Sequence, residues 1–124
     1  MPATFSIAGN GTYIVETLIG HHTPAEQRVV VGELFALMEQ TDIRKVLVDA
    51  RAQQAPLPRL EAYSLWSEHA PMVPDVAALA ILVSWRLRAI DTTEVIALSH
   101  GVNVRYFNDE QAALAWLHVT KAGE

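Results

Sequence analysis

Val76-Ala-Ala-Leu-Ala-Ile-Leu-Val83 is an unbroken apolar run of eight residues. It shows no alternation of polar and apolar positions, the pattern of a strand covered on both faces of a parallel sheet. It is also far shorter than the roughly 20 apolar residues needed to cross a bilayer. The run therefore reads as the central strand of a sheet. Upstream, Lys45-Val-Leu-Val-Asp-Ala50 is a second compact strand that ends in polar residues, and downstream Val102 to Phe107 is a third. A helix-length segment separates each from the next, as parallel strands require. One helix is expected from about Pro58 to Ala70, closed by Pro71 and Pro74. Another lies between Arg86 and His100, with Asp91 and Glu94 spaced as a capping box and Gly101 as a left-handed C-terminal cap.

Further out, Thr4 to Ala8 and Thr12 to Ile19 are rich in aromatic and β-branched residues and flank Gly9-Asn-Gly11. Both residues of an Asn-Gly pair tolerate positive φ, so these segments read as an antiparallel hairpin. Thr23-Pro-Ala-Glu26 supplies a threonine N-cap, proline at the first helical position and glutamate three residues after the cap. That helix runs to about Gln40 with a core stripe of Val30, Leu34, Leu37 and Met38. A last helix spans about Asp109 to Val119, with Ala112, Ala113, Trp116 and Val119 inward and Leu117 flanking. The fold class is α/β: one domain over residues 1–124, a mixed, mostly parallel sheet of four to five strands opened by a hairpin, and four helices. Helices are expected on both faces, with the first strand as an antiparallel edge.

The chain has 124 residues, 51% of them hydrophobic and 19% charged, which suits a single water-soluble domain and excludes disorder. Zero cysteines exclude disulfides, thiolate metal sites and cysteine nucleophiles. Nine Lys plus Arg against fourteen Asp plus Glu give a net charge of −5, which opposes binding to nucleic acid. The start lacks a basic n-region and a sustained apolar core, so no signal peptide or transmembrane segment is expected and the reading is cytoplasmic.

Catalytic motifs are missing: there is no G-x-S-x-G elbow and no Walker loop, and Gly9-Asn-Gly11 lacks the third glycine of a dinucleotide site. Ser99-His100 are neighbours on one helix and lack the mutual geometry of a nucleophile and base. The histidines at 21, 22, 69, 100 and 118 show no ligand spacing, so neither a metal nor another cofactor is assigned. In open parallel sheets ligands bind beyond the carboxyl ends of the strands. Those ends carry Asp49 and Arg51 after one strand and Ser84, Trp85 and Arg86 after another, a set suited to an anionic or amphipathic small molecule. A second feature is the apolar excess around the 58–70 helix. Tyr63 and Trp66 share its inward face, and Leu57 and Met72 flank it, which suits a homodimer interface or the wall of a hydrophobic pocket.

At Gly101-Val-Asn-Val-Arg-Tyr-Phe-Asn-Asp-Glu-Gln-Ala-Ala-Leu-Ala-Trp-Leu117 the chain resembles the SpoIIAA-like branch of the STAS superfamily. A V-R-x-F-x-D-E-x-x-A-x-x-W-L strand-to-helix unit closes that domain. Gly11-Thr-Tyr-Ile-Val15 and Arg44-Lys-Val-Leu-Val-Asp-Ala-Arg51 also lie where the family places an early strand and the first crossover strand. The resemblance implies a sheet of four or five strands with four helices, and a role in binding. Its members of known role are mostly anti-sigma-factor antagonists or regulatory modules, and related folds include the CRAL-TRIO lipid carriers. The phosphorylatable serine of the antagonists has no counterpart, because Asp49-Ala-Arg-Ala-Gln-Gln-Ala-Pro-Leu-Pro58 holds no serine or threonine. Ser64, the first serine downstream, falls within the expected helix and away from its start. The resulting expectation is a non-enzymatic regulatory or protein-interaction module that forms a homodimer. The alternative is a carrier or sensor of a small, lipid-like ligand at the strand ends. An enzyme ranks third.

Overall fold

A computed structural model describes residues 3–20, 23–52, 67–68, 78–84, 98 and 103–119. Five strands form one mixed sheet: β1 (Ala3–Ala8), β2 (Tyr13–Leu18), β3 (Lys45–Asp49), β4 (Ala78–Leu82) and β5 (Val104–Phe107). Their spatial order is β1-β2-β3-β4-β5; β1 and β2 are antiparallel and every other pair is parallel. The middle strand is thus β3, not the 76–83 run, because the hairpin adds β1 outside β2. β4 is nevertheless buried on both faces, as its uniform apolarity requires.

The hairpin turn is longer than a two-residue Asn-Gly loop. Ala8 pairs with Tyr13, and Gly9, Asn10 and Gly11 take φ of 60°, 58° and 86° in succession. The Thr12 hydroxyl closes the turn by donating to the Gly9 carbonyl at 2.7 Å. At Gly9 a Cβ would also collide with Thr12 Oγ1 and the Tyr13 ring, so both backbone and space demand glycine.

Helix α1 (Pro24–Thr41) begins with the capping box read from its sequence. Glu26 N–H donates to Thr23 Oγ1 at 3.2 Å, and Thr23 N–H donates to Glu26 Oε1 at 2.9 Å. It ends at Asp42, in the left-handed region at φ 60°. Val30, Leu34 and Met38 are buried as expected, each contributing roughly 1.5–3 kcal/mol. Phe35 joins them, and Leu37 is only partly buried. These side chains cover one face of the sheet, against Ile14, Leu18, Val46, Val48, Leu79 and Val83.

Helix α2 (Glu110–Val119) covers the opposite face. Asp109 caps it: its carboxylate accepts from Ala112 N–H at 3.3 Å. The inward line is Ala113 and Leu117, both fully buried, while Ala112 is exposed and Trp116 is partly buried. This corrects the expected stripe by a rotation of the helix. The rotation follows from packing on Ala78 and Ala80, whose small side chains accept Ala113 at close range. The Val119 side chain lies outside the described residues. So do the helices expected over 58–70 and between 86 and 100, except that Ser67, Glu68 and Leu98 are helical. Arg28 of α1 pairs with Glu68 at 2.8 Å.

Candidate functional site

The sheet register sorts the polar groups near the carboxyl ends of the strands onto two faces. Thr17, Asp49, Leu82 and Phe107 align across β2 to β5 on the α2 face. Asp49 is therefore directed toward the start of α2. Its Oδ1 accepts from the Arg51 backbone N–H at 3.1 Å and from Arg51 Nε at 3.0 Å, and its Oδ2 accepts from Arg51 Nη2 at 2.9 Å. Such a two-pronged pairing is the strong form of a guanidinium–carboxylate contact. The same Nη2 donates to Glu110 Oε1 at 3.2 Å, tying the end of β3 to the first turn of α2. The hydrogen bonds from Arg51 hold the Asp49 carboxyl below its ordinary pKa, and Asp49 in turn raises that of Arg51.

Sequence reading placed Asp49 and Arg51 together, and the structure does so; it did not foresee Glu110 as the third member. One cation facing two carboxylates leaves this trio with a net negative charge. Ser84 stands two residues past Leu82, beyond the point where Ala50 N–H donates to the Leu82 carbonyl at 2.8 Å. Trp85 and Arg86 lie outside the described residues, and so do Leu57, Tyr63, Trp66 and Met72. Of the histidines, His118 is described and exposed on α2. Among the described residues no group of three or more His, Asp or Glu is placed to hold a metal ion.

The α1 face carries a residue that the sequence reading passed over. Phe5, Glu16, Val48, Ile81 and Tyr106 form one row across all five strands. Glu16 is only 5% exposed, and its Oε1 is buried without a hydrogen-bond partner. Burial raises its pKa to about 8, with a further contribution from the Glu33 carboxylate on α1. At neutral pH this side chain is mainly the uncharged acid. The signal was present in the alternation of Tyr13-Ile-Val-Glu-Thr-Leu18: a period of two puts Glu16 inward with Ile14 and Leu18. Phe5, Ile81 and Tyr106 are partly buried and pack against the same core.

On the α2 face, Phe107 and Trp116 meet at 5.8 Å between ring centroids, and the Arg105 guanidinium lies 5.7 Å from the Phe107 ring centre. No family model and no curated protein matches the chain. No described helix is long and apolar enough to cross a membrane.

Proposed function

We propose that the chain is a regulatory or protein-interaction module of the STAS type, similar to the SpoIIAA-like branch, that works by binding and not by catalysis. The observation that carries this reading is the strand-to-helix unit from Val104 to Leu117. The residues that carry the resemblance have concrete packing duties there: Val104, Ala113 and Leu117 are buried, Phe107 meets Trp116 in a tilted ring contact, Asp109 caps α2 and Glu110 holds Arg51. The five strands of the described sheet fall within the four or five that the resemblance implies. With no serine or threonine in the 49–58 stretch, partner binding is not switched by phosphate at that position.

Self-association is favoured by β1. It is the edge strand of the described sheet, none of its six residues is charged, and Thr4, Ser6 and Ile7 are exposed. Natural edges are usually protected by charge, proline or a bulge, and an uncharged edge pairs readily with a second copy across a two-fold axis. Sedimentation velocity tests the reading: a dimer at micromolar concentration is expected for the chain and a monomer for Ile7→Lys. A wild-type monomer that also retains no protein partner on affinity capture contradicts it. The ligand-carrier alternative at Asp49 and Arg51 meets a specific obstacle, since an anion has to displace Glu110 from the guanidinium.

A further inference from the structure

The hairpin turn between β1 and β2 presents Asn10 and Gly11, both exposed. An asparagine side-chain amide is open to attack by the backbone nitrogen of the residue that follows it. Glycine is the most permissive follower, because no Cβ shields its nitrogen or restricts its rotation. The chain has two other asparagines, Asn103 and Asn108, and both are exposed as well. Their followers are less permissive: Val104 is β-branched and buried in β5, and Asp109 is held in place as the cap of α2. This reactivity is therefore concentrated at the tip of the hairpin.

The turn controls access to it. Gly9, Asn10 and Gly11 all take positive φ, and the Gly11 N–H donates to the Ala8 carbonyl at 3.1 Å, which ties down the attacking nitrogen. Thr12 closes the same loop, its N–H donating to the Ala8 carbonyl at 3.1 Å and its hydroxyl to the Gly9 carbonyl at 2.7 Å. For the Gly11 nitrogen to turn toward Asn10 Cγ, its hydrogen bond to Ala8 has to break first. Opening of a hairpin tip is a local event and costs less than global unfolding.

We propose that Asn10 is a site of self-modification by deamidation, gated by opening of the β1–β2 turn. The Gly11 nitrogen attacks Asn10 Cγ and closes a succinimide ring. The bond from Cγ to the side-chain nitrogen breaks, and that nitrogen leaves as ammonia with the proton that Gly11 has lost. Water then adds to one of the two ring carbonyl carbons and the ring C–N bond there breaks, which leaves aspartate or isoaspartate. Nothing is oxidised or reduced. Either product brings a carboxylate to the end of β1, a strand without charge. Isoaspartate also lengthens the main chain by one carbon inside the turn that sets Ala8 opposite Tyr13, so the pairing of β1 with β2 is weakened. The site stands independently of the STAS-like reading.

The test is peptide mapping by mass spectrometry of the wild-type chain kept at pH 7 in water enriched in oxygen-18. The peptide holding Asn10 is expected to take up one heavy oxygen and to split into aspartate and isoaspartate forms. Peptides holding Asn103 and Asn108 should stay unchanged over the same period. In the native chain the reaction at Asn10 is expected to run at least about tenfold slower than in unfolding urea, because only the opened turn reacts. Thr12→Val, which removes the hydroxyl that closes the turn, should speed the native reaction and leave the rate in urea unchanged. The isoaspartate form, separated by ion exchange, should melt below the unmodified chain. No heavy oxygen at Asn10, equal uptake at Asn103 or Asn108, or a native rate equal to that in urea overturns the proposal. An isoaspartate form that melts with the unmodified chain overturns its effect on β1.

Discussion

Glu16 is a side chain whose protonation bears directly on stability. Its pKa is about 8 in the folded chain against an ordinary value of 4.5, so the folded state holds the proton more tightly than the unfolded state does. The associated stability is fully present below pH 4.5 and is lost as pH rises through 8. That shift corresponds to about 5 kcal/mol over the window. Ionisation of Glu16 sets its charge against Glu33 within an otherwise apolar row, whose flanking Phe5 and Val48 carry no charge. Urea unfolding of the wild type across pH 5 to 9 should show this decline, and Glu16→Gln should flatten it and be the more stable protein at pH 8. A wild-type profile as flat as that of the variant contradicts the assignment. Asp49 titrates in the opposite sense: its lowered pKa makes the Arg51 pairing a stabilising contact that is lost only on acidification.

Among the elements, the hairpin and α1 were legible because their signals are local. Gly9-Asn-Gly11 needs no distant partner to turn, and Thr23 with Glu26 satisfies two helix-start amides within a single turn. Replacing Thr23 by Ala removes the cap and should destabilise the fold by about 1 kcal/mol in chemical denaturation. What was not legible is how each helix is rotated on the sheet. Phe35 buries in place of Leu37, and Leu117 in place of Ala112, because those choices depend on the side chains beneath. For α2 these are Ala78 and Ala80. The same close approach makes Ala113→Leu an overpacking change, expected to cost about 1–3 kcal/mol, where Ala112→Leu on the exposed side should be nearly neutral. The candidate site was half legible for a related reason. Asp49 and Arg51 are neighbours on one strand end, but Glu110 reaches them only through the docking of α2. Glu16 was legible in principle from strand alternation, yet one acidic residue in a six-residue strand draws little notice until its burial is known.

Across the whole molecule, the two faces of the sheet divide the work. The α2 face is closed by small residues and by an ion network that binds the helix to the strand ends. Among the described residues, the α1 face holds a large apolar core with the buried Glu16 acid in it, and the sheet ends on that side of the hairpin in an uncharged strand. On the proposed reading, that uncharged edge pairs with another copy of the chain. Concentration-dependent amide exchange along β1 tests this most directly. The N–H groups of β1 that do not bond to β2 should be protected at micromolar concentration. They should lose that protection on dilution or in Ile7→Lys, while the amides bonded to β2 stay protected. Outward β1 amides that exchange freely at every concentration would contradict the account.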